Sequence, residues 1–146
     1  MQIKKTIDFL NDYRTKLENK KNWKHAEKFV HVLEELRQMD FNASQIERLN
    51  SELLVVLKTF EIQKDNIGIR YELRSFLKFL RAEYSIIPPN YNLYIGLLVG
   101  VLVSAVFGII SASIGLVLGA AVGYLLDDKA AKEKRRLKTQ LDRYLF

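Results

Sequence analysis

Apolar residues in the first 84 positions recur every three or four places; between Glu83 and Asp127 charge then disappears altogether. The recurrence predicts helices. Ile3, Ile7, Leu10, Tyr13 (or Arg14) and Leu17 form one stripe, interrupted by the polar stretch from Asn19 to Asn22. A second helix is predicted to start at Asn22, whose side chain can cap free backbone N–H groups, with Ala26, Phe29, Val30, Leu33 and Leu36 inward. Ser44 and Glu47 have capping-box spacing and predict the start of a third helix. Its inward face is Ile46, Leu49, Leu53, Val56 and Phe60, widened by Leu54, Val55 and Leu57, so it is expected to be the most buried helix. Asp65 to Gly68 reads as a turn. Ile69, Leu73, Phe76, Leu77, Leu80 and Tyr84 mark a fourth helix, which Pro88-Pro89 ends by removing donors and forcing extended geometry. Strand-like alternation is absent. Short connections favour antiparallel neighbours, so residues 1–87 are expected to form an antiparallel four-helix bundle, with 88–92 as linker.

The 34 residues from Leu93 to Leu126 carry no charge and are mostly apolar, the signature of a segment whose solvent is lipid. As one helix they would be ~51 Å long at 1.5 Å per residue, against a hydrocarbon core of ~30 Å. Two helices of roughly 16–18 residues fit better, short enough to thin the bilayer or to enter and leave on one side. Ser111-Ala112-Ser113 is the least apolar stretch, which places the reversal at about 110–114. The expected class is all-α: a cytosolic antiparallel helical bundle, a transmembrane or re-entrant helical hairpin over 93–126, and a C-terminal amphipathic basic helix over 127–146 with Leu137, Leu141, Tyr144 and Leu145 on its apolar face.

Small residues recur every fourth position within the hairpin. Gly96, Gly100, Ser104, Gly108 and Ala112 form one series, and Gly115, Gly119 and Gly123 a second, out of register by one. Such positions share a helix face and let a second backbone come close. They can hold the two arms together or pack against neighbouring subunits. Over residues 96–123 the pattern resembles the glycine-zipper class of membrane hairpins, and that resemblance implies close helix packing and self-association, with no single function attached.

Net charge adds a direction. The chain of 146 residues is formally +6; residues 127–146 carry 7 Lys/Arg against 4 Asp/Glu, whereas residues 1–92 spread 16 against 13 over a long surface. Lys129, Lys132, Lys134, Arg135 and Arg136 follow the hairpin closely and are candidates for contact with anionic headgroups. Arg74, Lys78 and Arg81 precede it, and cations on both flanks imply an even number of crossings with both ends cytoplasmic, in an inner or plasma membrane. The N-terminus lacks the apolar run of a secretory signal peptide, and cysteine is absent. The cationic cluster lacks interleaved aromatic platforms, so no nucleic-acid partner is expected.

Reactive chemistry is sparse. His25 and His31 are six apart and fall on different helix faces, without the spacing of a helical metal pair. Glu34-Glu35 and Glu47-Glu52 lie on polar faces. No catalytic, metal or cofactor site is expected, and the chain is read as a non-enzyme. Asp127 and Asp128 leave the hairpin where an oligomer would arrange them as a charged pore mouth; the plainer reading makes them interface markers beside Lys129. Two functions follow. The first is a membrane-anchored scaffold or accessory subunit that self-associates and recruits a partner protein through residues 1–87. The alternative is an oligomeric, membrane-permeabilising effector of toxin or antiviral type, regulated by the bundle.

Overall fold

The computed structural model describes residues 2–17, 19–63, 68–107, 109–139 and 141, excepting the side chains of 63, 106, 107 and 109–112. The chain is all-α, with six helices and no strand among the described residues: α1 (Gln2–Thr15), α2 (Lys20–Arg37), α3 (Ala43–Gln63), α4 (Ile69–Tyr84), α5 (Tyr91–Phe107) and α6 (Ile109–Lys132). Contacts divide it into two compact units. One comprises Met1–Glu83 and the segment from Thr139; the other is Tyr84–Lys138.

In the first unit the buried residues are those on the apolar stripes. Ile3, Ile7 and Leu10 of α1, Phe29, Leu33 and Leu36 of α2, Leu49, Leu53 and Phe60 of α3, and Ile69, Leu73, Phe76 and Leu80 of α4 are all buried. An aromatic cluster joins the four helices. Phe9 stacks on Phe60 at 5.5 Å between ring centres, Phe29 meets Phe60 edge-on at 6.3 Å, and Phe29 tilts against Phe76 at 5.3 Å. The Gln2 amide donates to Asn50 Oδ1 at 3.1 Å, several turns from the Phe9–Phe60 stack, so α1 and α3 run in the same direction. Arg14 lies over the Trp23 ring at 5.1 Å across the α1–α2 connection.

Three expectations about these helices are corrected. The second helix begins at Lys20, because Asn19 supplies the cap: its side chain accepts from the amides of Lys21 and Asn22. The third begins one residue before Ser44, because the capping box is Asn42 and Gln45. Asn42 Oδ1 accepts the Gln45 amide at 2.9 Å, and Gln45 Oε1 accepts the Asn42 amide at 3.0 Å. Nor is α3 the most buried helix. Ile46, Leu54 and Val55 are exposed and Ile62 is 83% exposed, since its apolar residues cover a wider arc than its neighbours can face. The turn expected at 65–68 lies, except for Gly68, outside the described residues.

The second unit begins where α4 stops. The helix ends at Tyr84, with Ser85 in the left-handed region (φ 52°), three residues before the first proline. Proline disfavours helical geometry in its predecessor, so Ile87 is extended and offers both backbone groups sideways. Its amide donates to the Arg135 carbonyl (2.8 Å), and its carbonyl accepts from the Leu137 amide (2.9 Å), an isolated parallel bridge. The tail is therefore no amphipathic helix from residue 129. Helix α6 closes after Lys132 in a paired C-terminal motif: the Arg135 amide reaches the Ala130 carbonyl and the Lys134 amide the Ala131 carbonyl, with Lys134 left-handed (φ 55°). Beyond it residues 135–139 are not helical and Leu137 is buried. Of the apolar face expected for the tail, Tyr144 and Leu145 lie outside the described residues. In the first unit the Thr139 amide donates to Glu35 Oε1 at 2.6 Å.

Candidate functional site: the apolar helix pair

Helices α5 and α6 bring together the residues that the sequence singled out. Each glycine faces backbone of the other helix. A Cβ on Gly100 would lie 2.9 Å from the Gly115 carbonyl carbon, one on Gly119 2.9 Å from that of Gly96, and one on Gly123 2.7 Å from Leu93 Cα. Residue numbers rise along one helix as they fall along the other across these contacts, which makes the pair antiparallel. The reversal expected at 110–114 is corrected accordingly: α6 already runs from Ile109. Backbone-to-backbone register, not the mild polarity of Ser111 and Ser113, sets where the chain turns.

Both glycine series are therefore used within one chain. Gly96 and Gly100 face Gly115 and Gly119, and Ser104 is buried against Gly115. The Ser104 hydroxyl donates to the Gly100 carbonyl at 2.6 Å, satisfying its polar group inside an apolar contact. Gly108 lies outside the described residues, as does the side chain of Ala112. Of the two roles expected of these positions, helix packing and oligomerisation, the described glycines and Ser104 take part in packing one arm on the other.

Asp127 is the residue whose role the sequence missed. Only 2% exposed, it accepts the Asn92 amide at Oδ1 (3.1 Å) and the Leu93 amide at Oδ2 (3.0 Å). These are the second and third residues of α5, whose N–H groups have no partner within the helix. An N-cap side chain normally fills that place from the residue just before the helix. Here Asn90 occupies that position with φ 61°, and the cap comes from the far end of α6. Carboxylate charge at a helix N-terminus is also favoured by the helix dipole. Both Asp127 oxygens thus point at backbone, a role that neither the pore-mouth nor the interface-marker reading foresaw. Asp128 pairs with Lys132 at 2.6 Å.

Replacing Asp127 with Ala strands two part-buried N–H groups, with an expected loss of about 1–3 kcal/mol. Asp127→Asn, which keeps one acceptor, should fall between. Chemical unfolding of the three proteins checks the order; equal midpoints would remove the capping role.

The other cations occupy several settings. Lys129 lies 4.0 Å from Glu133 and is largely exposed; Arg135 pairs with Glu133 and donates to the Ser85 carbonyl at 3.2 Å; Arg136 takes part in the bridge to Ile87. In the first unit, burial and then the charge of Glu52 push the Glu72 carboxyl above its ordinary range. Among the described residues no group of histidines and carboxylates could hold a metal ion.

The rest of the α5–α6 surface is apolar and uncovered within the chain. Leu98, Val101 and Leu102 on α5, and Val117, Val122 and Leu125 on α6, are each at least half exposed. Among the described residues no helix is long and apolar enough to cross a membrane. At 1.5 Å per residue the 17 residues of α5 span about 25 Å. No protein-family model matches this chain, and no curated protein or solved structure matches it.

Proposed function

We propose that this protein is a non-enzymatic, membrane-anchored scaffold or accessory subunit. Its α1–α4 helices form a cytoplasmic antiparallel bundle, and its α5–α6 hairpin is seated re-entrantly in an inner or plasma membrane. The observation that carries the reading is the outward surface of α5 and α6: uncharged from Tyr91 to Leu126 and lined on every side by exposed Leu, Val and Ile. Contiguous apolar surface of this extent marks contact with lipid or another protein. Helix is the conformation that satisfies its own backbone in hydrocarbon.

Three features support the seating. The Asp127 bonds to Asn92 and Leu93 tie the two hairpin ends together, so both return to one face of the bilayer. An arm of about 25 Å is short of the ~30 Å hydrocarbon core, which suits a hairpin that enters and leaves on the same side. Lys129 and Lys132, exposed in the last turns of α6, sit where headgroups would lie. The glycines are occupied within the chain, so self-association runs through the outward Leu and Val faces. A partner protein finds exposed Leu54, Val55 and Ile62 on α3 and Tyr71 on α4. The permeabilising alternative loses support, because Asp127 is engaged with backbone and the hairpin offers little polar lining.

The test is fractionation of the expressed chain. Wild type is expected in the carbonate-resistant membrane pellet with membrane potential unchanged, and Leu98→Lys/Leu102→Lys/Val117→Lys/Leu125→Lys in the supernatant. Wild type in the supernatant would overturn the membrane reading. Depolarisation on expression would move the assignment to the permeabilising class.

A further inference from the structure

Helix α6 stops at Lys132 without a local reason. The stretch from Ala130 to Lys138 contains only Ala, Lys, Glu, Arg and Leu, all strong helix formers, and no glycine, proline or asparagine follows Gly123. The turn that ends the helix puts Lys134 in the left-handed region (φ 55°), a place usually taken by glycine. Ile87 holds the turn closed. Its amide donates to the Arg135 carbonyl at 2.8 Å, its carbonyl accepts from the Leu137 amide at 2.9 Å, and Arg135 donates to the Ser85 carbonyl at 3.2 Å. Leu137 is 1% exposed there. We propose that residues 133–138 are a two-state strap: docked on Ile87 while α5 and α6 are packed, and a continuation of helix α6 once the pair parts.

Opposing terms set the balance between the two states. In the docked state the Arg135 amide reaches back to the Ala130 carbonyl and the Lys134 amide to that of Ala131. Continuing the helix exchanges these two acceptors, with no bond lost. It also adds amide bonds from Arg136, Leu137 and Lys138 to the carbonyls of Lys132, Glu133 and Lys134, replacing the pair made to Ile87. Lys134 leaves a backbone region that is costly for any residue with a Cβ. Against this, Leu137 loses its buried site. The Ile87 amide and carbonyl lose their partners in a residue that is itself buried. Burial at Leu137 and Ile87 thus holds the strap against the helical preference of its own residues.

Ile87 ties that balance to the hairpin. Only Pro88, Pro89 and Asn90 separate it from the start of α5, and each proline fixes φ at about −65°. The first turn of α5 lies against the end of α6: Asp127 holds the Asn92 and Leu93 amides, and a Cβ on Gly123 would sit 2.7 Å from Leu93 Cα. Parting the helices by a few ångström therefore carries Ile87 out of hydrogen-bond reach of Arg135 and Leu137. The freed segment follows its local preference and lengthens α6 by about 9 Å at 1.5 Å per residue. Packing of the apolar pair is thereby converted into the length of a helix end rich in cations. The device does not depend on what covers the pair.

The experiment is backbone NMR of the full-length chain in nonionic detergent micelles, reading Cα shifts over residues 133–138 and exchange protection of the Ile87 and Leu137 amides. In wild type, helical shifts are expected to end at Lys132 with both amides protected. Lys134→Gly favours the left-handed turn and disfavours helix, so protection should rise at least tenfold. Lys134→Ile, β-branched and strongly disfavoured at positive φ, should lower protection at least tenfold and bring helical shifts through Lys138. The distance between labels at Leu98→Cys and Val117→Cys should stay unchanged in it. Gly119→Leu, which widens the pair, should free the strap with Lys134 intact. Gly119→Ala, whose Cβ alone would lie 2.9 Å from the Gly96 carbonyl carbon, serves if the leucine variant does not fold. Equal protection in both Lys134 variants would overturn the proposal. So would coil shifts over 133–138 on loss of protection, because the strap would then only fray. A widened pair with the strap still docked would overturn it as well.

Discussion

Leucine in place of Gly119 should drive α5 and α6 apart. The first atom of the new side chain would sit 2.9 Å from the Gly96 carbonyl carbon, closer still to its oxygen, and 3.3 Å from Gly100 Cα. All three are backbone, so no rotamer change can relieve the overlap; the helix itself must shift, toward the spacing of about 8–10 Å usual with larger side chains. That movement also pulls Asp127 away from the α5 amides. Overpacking of a tight contact costs about 1–3 kcal/mol, and losing the cap adds to it, so the expected destabilisation is about 3 kcal/mol or more. The chain has no cysteine, so labels at Leu98→Cys and Val117→Cys report the separation without interference. Gly119→Leu should lengthen that distance by several ångström and lower the unfolding midpoint. An unchanged distance would mean that the glycines do not hold the pair.

Phe29→Ala is expected to have the largest effect in the first unit. Its ring is fully buried and meets both Phe60 and Phe76, so one residue of α2 connects α3 with α4. Truncation removes the ring's transfer energy and leaves a cavity that four helices close only in part, with an expected loss of about 3–5 kcal/mol. Val55→Ala, at an exposed position on α3, is the control and should stay within about 0.5 kcal/mol. Thermal unfolding followed by circular dichroism checks both, and equal effects would mean that the aromatic cluster does not organise the unit. The α5–α6 label distance should be unaltered by Phe29→Ala, because the ring's aromatic partners lie in α3 and α4.

Helix positions were legible wherever one face repeats. Leu49, Leu53, Val56 and Phe60, and the whole Ile69-to-Tyr84 stripe, are buried as their spacing predicts. Helix starts were less legible. Asn19, Asn22, Asn42 and Ser44 can all cap, and the choice depends on which one the chain geometry leaves outside the helix. Asn19 and Asn42 win, three and two residues ahead of Asn22 and Ser44. The tail misled for a related reason. Leu137, Leu141, Tyr144 and Leu145 repeat at helical spacing, but the Lys134 turn and the backbone groups of extended Ile87 capture residues 135–137 first.

The glycine spacing determined that two helices would approach closely, because removing Cβ atoms every fourth residue leaves a groove whatever surrounds it. The charge-free run likewise determined that an apolar surface would remain uncovered within so small a chain. Only tertiary structure decided which backbones meet, since Gly96 with Gly119 and Gly100 with Gly115 is one of several possible registers. It alone turned Asp127 from a boundary charge into the cap of a helix that begins 36 residues earlier. Periodicity is local and survives in the sequence; a hydrogen bond between distant residues depends on where both helices end, which spacing along one helix does not encode.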